Sequence, residues 1–472
     1  MNNFCATIGI EVHTELNTNS KMFSSSPVSF IDQPNTNINE IDLGLPGVLP
    51  SPNQGAVIKG IQLATALNMK IDPLLRFDRK NYFYQDLPKG FQITQQYHPI
   101  GKDGSVTISN KLIRIERIHL EEDTAKQQII NNELCLDYNR CGIPLIEIVS
   151  RPDITTAKEA VEYLNELRRI LIFLNISDGK MEEGSFRADI NISVAPIGAK
   201  TLGTKVEIKN INSFANVAAA IEYEFQRQVR QLLNGEPVIQ ETRRWDDKKN
   251  KTIFMRLKLD DVDYRYFREP NIIQLDISHL VEQAQASMQE LPKHIKEKLL
   301  KNDVPINLIE QLLDNYDACQ AYMYVNNQVN NASLVTAWII VELGALLKAT
   351  NKTYQTINKV FLNNCIALLK LIQKEQINGK QAKVIFAKMY ETNTTPDVLV
   401  QQLGFVQIKD SEIIERYLTQ YLQTNHDMVE QYVNRPERVE KFFIGLLMRD
   451  TKGQANPNIA IQILKKLLNP IK

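Results

Sequence analysis

Cysteine is scarce and scattered. Five residues, at positions 5, 135, 141, 319 and 365, make an odd count, and Cys135 and Cys141 have no second close pair to join them. Zinc-ribbon spacing is therefore excluded, and a reducing cytoplasm is the simplest compartment. No cysteine sits beside a base in a recognisable nucleophile setting, and no Ser- and Gly-rich hydrolase signature occurs. Charge of one sign is also lacking: Lys+Arg and Asp+Glu are 55 each, so any contact with nucleic acid has to come from local patches. No basic leader with an apolar core opens the chain, and no apolar run reaches about 18 residues, which predicts a protein neither secreted nor membrane-spanning. The loop from Gly198 to Lys205 nearly imitates a phosphate-cradling P-loop. It lacks a Lys directly after the second Gly and joins two strands, so it is not one.

What is present is ample. With 472 residues, 43% of them hydrophobic and 23% charged, the chain has the length for two to four ordinary globular domains. Its most informative stretch is Ile8-Gly-Ile-Glu-Val-His-Thr-Glu-Leu16. Apolar residues at 8, 10, 12 and 16 alternate with Gly9, Glu11, His13 and Glu15, the period of a half-buried strand. Residues i and i+2 of a strand share a face about 6–7 Å apart. Glu11 and His13 are thus either a solvated polar face or a pair able to share a cation, and Gly9 opens the backbone to close approach.

Residues 1 to about 290 mix short strands with a few helices. A helix is expected from Gly55 to Met69, and a second after Thr155 or Thr156, which can cap it. Arg79, Lys80, Tyr82, Phe83 and Tyr84 interleave cations with aromatics, as a nucleic-acid surface or a plain amphipathic strand would. Arg114 to Asp123 begins with β alternation and ends in three adjacent carboxylates, either solvated or gathered round a cation. Glu147 stands alone among Leu145, Ile146, Ile148 and Val149, which is costly unless it is paired or ligating. Within Glu182 to Val194 the alternation over Arg187 to Val194, and the similar run Lys205 to Lys209, read as a hairpin whose polar face carries Asp189. From about 291 helical stripes take over, for example Leu334, Ala337, Trp338, Val341 and Ala345. The segment from Arg435 onward counts eight Lys/Arg against three Asp/Glu, a phosphate-facing patch or a solvated basic helix face. Oxygen-rich groups with one imidazole and no thiolate suit Mg²⁺ better than zinc, and carboxylate-held Mg²⁺ commonly works on nucleotide phosphates.

At this point whole motifs resemble one family. Ile8-Gly-Ile-Glu-Val-His-Thr-Glu-Leu16, Asp78-Arg-Lys-Asn-Tyr-Phe-Tyr84, Leu87-Pro-Lys-Gly-Phe-Gln-Ile93, His119-Leu-Glu-Glu-Asp123, Pro144-Leu-Ile-Glu-Ile-Val-Ser150, Lys209-Asn-Ile-Asn-Ser-Phe214 and Gly453-Gln-Ala-Asn-Pro457 are similar to the B subunits of aspartyl/glutamyl-tRNA(Asn/Gln) amidotransferases, the GatB/GatE family. The resemblance covers essentially the whole chain. It implies an α+β fold: a β-rich cradle domain with a kinase-like site over 1–290, an all-α helical domain over 291–404, and a small helical YqeY-like, tRNA-binding tail domain over 405–472.

The resemblance further implies a cytoplasmic heterotrimer in which a glutaminase (A) subunit supplies ammonia and a small C subunit braces the pair. With ATP and Mg²⁺, the B subunit would phosphorylate the side-chain carboxylate of misacylated Glu-tRNA(Gln) or Asp-tRNA(Asn) before ammonia replaces the phosphate. A non-catalytic tRNA-binding scaffold in the same complex is the alternative. Carried over by position, the catalytic layer is Glu11, His13, Glu122, Glu147 and Asp189. Metal ligation falls to His13, Glu122, Glu147 and Asp189, and cofactor contact to Lys80, Lys89 and Lys209.

Overall fold

The computed structural model describes residues 3–468 except 30–32, 110, 258–262, 406–409, 434 and 452. They divide into two compact units, Met1–Ile295 and Lys296–Lys472. The first is built on one nine-stranded sheet: β1 (Phe4–Glu15), β2 (Lys70–Ile71), β3 (Gly101–Ile108), β4 (Lys111–Glu122), β5 (Pro144–Ser150), β6 (Phe186–Pro196), β7 (Val206–Lys209), β8 (Glu241–Asp246) and β9 (Lys251–Leu257). Their spatial order is β9-β8-β7-β6-β1-β5-β4-β3-β2. Every pairing is antiparallel except β7 with β8, which run parallel.

β1 lies at the centre because its alternation gives it one buried face, apolar but for Thr14. Ala6, Ile8, Ile10 and Val12 are buried, whereas Thr7, Gly9, Glu11, His13 and Glu15 are only partly so. Three helices cover the apolar side: α1 (Gln54–Ala66), α2 (Ala157–Phe173) and α3 (Phe214–Leu233). Each starts where a polar side chain satisfies a free helix N–H: Asn53 accepts from Ala56 N, Thr156 from Glu159 N and Ser213 from Asn216 N, as N-caps do. Ile61, Leu164, Leu167 and Ile221 then join Ile8, Ile10 and Val12 in one core. Each such aliphatic side chain contributes about 1.5–3 kcal/mol through its buried area. An antiparallel sheet covered on one side keeps the other free for polar groups. The loop before β7 lies so close to β6 that a Cβ on Gly203 would meet the Val194 carbonyl oxygen at 2.1 Å. Glycine is obligatory there.

The second unit is helical. Trp338 packs edge-on against Phe386, their ring centroids 5.3 Å apart. A separate cluster between Ile414 and Leu468 forms a core of its own. The expected boundary at 404/405 adjoins residues 406–409, which lie outside the described residues, as do 469–472 of the expected tail. The stripe read from Leu334, Ala337, Trp338, Val341 and Ala345 needs correction. Ala337, Val341 and Ala345 are exposed, and the buried residues are Val335, Trp338, Ile339, Leu343 and Leu347. The stripe is already offset by one at Leu334 and Val335, and a π-helical segment, Thr336–Glu342, whose wider turn changes the phase, carries the offset further in the residues after it. The expectation of no apolar run near 18 residues also needs correction. Ala332–Ala349 is one 18-residue helical stretch of mean hydropathy 1.6, long and apolar enough to cross a bilayer. Within the unit it buries one side only, and its Glu342 pairs with Lys383 at 2.6 Å.

Candidate functional site

The face of the sheet away from the three helices carries the acidic residues, in rows fixed by register. His13 on β1 lies opposite Glu147 on β5, and Glu147 opposite His119 on β4. Directly paired residues hold their Cβ atoms about 4.5–5.5 Å apart, so the three side chains converge. Glu147 Oε2 is 3.4 Å from His13 Nε2 and 2.9 Å from His119 Nε2. Glu121, two residues along β4 from His119, stands 3.7 Å from His13 Nε2 and accepts a 3.3 Å hydrogen bond from the Thr94 hydroxyl. His13, Glu121 and Glu147 present ligand atoms all within 4.8 Å of one another. Burial pulls His119 down, but Glu147 and Glu121 outweigh it and raise the imidazole to about 9. His13 is likewise raised, burial being outweighed chiefly by Glu147. Burial raises Glu147, yet the two imidazoles hold it well below the usual carboxylate range.

A second acidic set adjoins the first. Glu11 lies opposite Asp189 on β6, and Asn191 opposite Glu207 on β7. Glu11, Asp189 and Glu207 again bring ligand atoms within 4.8 Å. Burial and then the Glu147 and Asp189 charges raise the Glu11 carboxyl. Asn191 steadies Glu11 through a 3.0 Å bond, and Thr242 on β8 donates to Glu207 Oε2 at 2.7 Å. Lys209 bonds Asp189 Oδ2 and lies 3.2 Å from Glu207 Oε1. Burial pulls its ammonium down, but Asp189 and Glu207 raise it well above its ordinary value. Beside this set a cavity of about 250 Å³ is lined by Gly9, Glu11, Ser150, Asn191, Gly203 and Lys205 among others. A Cβ on Gly9 would meet nothing closer than 3.8 Å. Its missing side chain therefore leaves the cavity wall bare and relieves no clash.

Farther along the same face, Arg187 Nη2 is 2.8 Å from Asp123. Glu15 is pushed up to about 7 by burial and by Asp123, with Arg187 opposing. Lys80 lies 4.9 Å from the Tyr264 ring centroid. Burial lowers it, but Glu121 and neighbouring groups raise it above its ordinary value.

Glu11, His13, Glu147 and Asp189 thus come together, divided between two sets. Glu122 does not join them. Adjacent strand residues face opposite ways, so with Glu121 on the open face Glu122 turns aside, where it accepts from Lys89 Nζ and from Ile93 N. Lys89 is occupied by that carboxylate, Lys80 flanks the first set, and Lys209 is clasped by the second. Sequence reasoning chose Glu122 where Glu121 shares the face, and did not assign Glu207 or His119. The signal was available: counting by two from His119 reaches 121 and not 122, and Glu207 alternates with Val206 and Ile208.

An open, mostly antiparallel sheet thus carries two carboxylate sets on the face away from its helices and is followed in the chain by a helical unit. Known families match both parts. The one described as the GatB/GatE catalytic domain matches residues 6–282, and the one described as the GatB domain matches residues 320–468. The chain is 50% identical over 475 residues to a Ureaplasma urealyticum protein named as the B subunit of aspartyl/glutamyl-tRNA(Asn/Gln) amidotransferase, covering 99% of this chain and 100% of that one. Proteins of the same name from Malacoplasma penetrans and Mycoplasma genitalium are 49% and 43% identical, with 98% and 99% of their lengths covered and 99% and 100% of this chain. The chain belongs to the GatB/GatE family.

Proposed function

We propose that this chain is the B subunit of a glutamine-dependent tRNA amidotransferase. It phosphorylates the side-chain carboxylate of misacylated Glu-tRNA(Gln) or Asp-tRNA(Asn) with ATP, and ammonia then displaces the phosphate to give Gln-tRNA(Gln) or Asn-tRNA(Asn). Kinship with relatives of that name supports the reading. The observation that carries the chemistry is the pair of acidic sets joined through Glu11 and His13 on one strand face.

A carboxylate is a poor electrophile because an oxide must leave. Transfer of a phosphoryl group from ATP, with ADP leaving, makes an acyl phosphate whose leaving group is good. Attack by ammonia on the acyl carbon then forms the C–N bond and breaks the C–O bond to phosphate, and the proton lost by nitrogen leaves on the hydrogen phosphate. The donor set is carboxylate-rich, with imidazole and no thiolate, which fits Mg²⁺. His13, Glu121 and Glu147 would hold one ion, and Glu11, Asp189 and Glu207 a second. When bound, Mg·ATP supplies the transferable phosphate and offsets its charge. Lys205 and the bare backbone at Gly9 flank the cavity proposed for the nucleotide. Lys80, held protonated beside Glu121, offers a cation for charge that develops on the transferring group.

The chain has no nucleophile suited to releasing ammonia from glutamine, so a glutaminase (A) subunit is the proposed donor, with a small C subunit completing a cytoplasmic heterotrimer. The test supplies the purified chain with ATP, Mg²⁺ and mischarged tRNA, with and without co-purified partners. Amide is expected from glutamine only when the partners are present. Amide made from glutamine by the partner-free chain would refute this division of labour. Absence of glutamine-dependent amidation by the complete assembly would refute the function.

A further inference from the structure

Resting on that reading of the second carboxylate set, we infer that Lys209 is a tethered counter-ion that holds Asp189 and Glu207 while no divalent cation is bound and yields them when a phosphate receives its ammonium.

The geometry leaves little room for both cations. Glu207 Oε2 accepts the Thr242 hydroxyl at 2.7 Å, and Oε1 lies 3.2 Å from Lys209 Nζ. The same Nζ bonds Asp189 Oδ2. An ion held jointly by Glu11, Asp189 and Glu207 has to enter among these oxygens, where the ammonium now sits. The first set is built differently. Among the described residues, His13, Glu121 and Glu147 make ion pairs within 4.0 Å only among themselves and with His119.

Lys209 is also able to leave. Its side chain is 31% exposed, on a flexible four-carbon stem carrying a single point charge. It lies two residues beyond Glu207 on β7, so both project from the same face. A nucleotide phosphate drawn to an ion at this set would give the displaced ammonium a new anionic partner. Ion and nucleotide then help each other: the ion frees the lysine, and the phosphate accepts it. The coupling is reciprocal by linkage.

The experiment titrates the full-length chain with Mn²⁺, following free Mn²⁺ by electron paramagnetic resonance, with and without a non-hydrolysable ATP analogue. Lys209→Met removes the charge and keeps the stem. Lys209→Gln is a second neutral variant, and Lys209→Arg retains the charge. Without nucleotide, both neutral variants are expected to bind the ion of the second set about tenfold more tightly than the parent protein, since a unit positive charge close to the ion is gone. Their ion at the first set should be unchanged. The nucleotide-induced gain at the second set should be large in the parent and small in the neutral variants, and Lys209→Arg should stay near the parent. Equal or weaker second-set binding in the neutral variants, or an undiminished nucleotide effect, overturns the inference while leaving the ion site standing. If Asp189→Asn and Glu207→Gln remove no Mn²⁺ from the parent protein, the cation reading of that set falls too.

Discussion

Glu121 and Glu122 are chemically identical neighbours with opposite expected phenotypes. Glu121→Gln removes a charge that repels Glu147 but also supports the His13 and His119 imidazoles, so in the ion-free protein the two effects oppose each other and stability changes little. It should weaken Mn²⁺ binding on the order of a hundredfold, the upper end of what even a residue supporting a metal ligand contributes. Glu122→Gln does the reverse. Lys89 and Glu122 are 8% and 4% exposed, and removing one charge strands a buried ammonium, for which the cost is about 3–5 kcal/mol. The carboxamide oxygen that replaces the carboxylate still accepts from Lys89 and Ile93, so the lower figure, about 3 kcal/mol, applies. At constant slope in urea of about 2–3 kcal/mol per molar, that moves the midpoint of the first unit down by about 1 M or more. The assay is paired: urea unfolding followed by Trp245 fluorescence, and Mn²⁺ titration of the folded proteins. If Glu122→Gln lost the ion and kept its stability, or Glu121→Gln lost stability and kept the ion, the alternation argument that separates the two would be wrong.

Asp189→Asn should abolish ATP-dependent phosphoryl transfer with the fold intact, read by label transfer from ATP and by circular dichroism; parent-level transfer would remove Asp189 from the site. The raised pKa of His119 also predicts a pH dependence for the metal-free protein. Its folded value, about 9, exceeds its ordinary 6.5, so the imidazolium's contribution is complete below about pH 6.5 and lost as pH rises through about 9, on the order of 3 kcal/mol. Urea midpoints in EDTA should fall across that window, and His119→Asn should flatten the fall. Deleting residues from 405 onward should weaken tRNA binding and reduce the log–log salt slope by about 0.7–0.9 per lost phosphate contact; an unchanged slope would make the basic excess near the C-terminus a solvated face.

The parts of this fold that follow local rules were legible. The alternation through Ile8 to Leu16 gave β1 and both of its faces, Thr156 marked the start of α2, and the two runs around Asp189 and Lys205 paired as the expected hairpin. What escaped depends on phase or on distant partners. Three consecutive acids carry no internal sign of which one faces the open side; only the strand's continuation from His119 to Glu122 decides it. Glu207 sits in a strand of four residues whose alternation gives its face but not its neighbours, since it meets Glu11 only through β6. The parallel pairing of β7 with β8 across α3 is a tertiary choice. The π turn in the second unit likewise leaves the sequence pattern helical while moving the buried stripe round the axis.

The central position of β1 bears on how the protein is made. Its partners are residues 144–150 and 186–196, so the first strand synthesised waits for partners more than a hundred residues away. At about 5–20 residues per second, translation takes about 10–40 s to reach the end of β6. Until β5 is made Ile8, Ile10 and Val12 belong to a strand with both edges open, and until β6 is made one edge stays open, the kind of segment that joins other chains. The same arrangement delays function until the first unit is nearly closed. Glu11 and His13 emerge at once, but neither has an acidic neighbour from another strand until the chain has been extended by more than a hundred residues, so a half-made protein assembles neither carboxylate set.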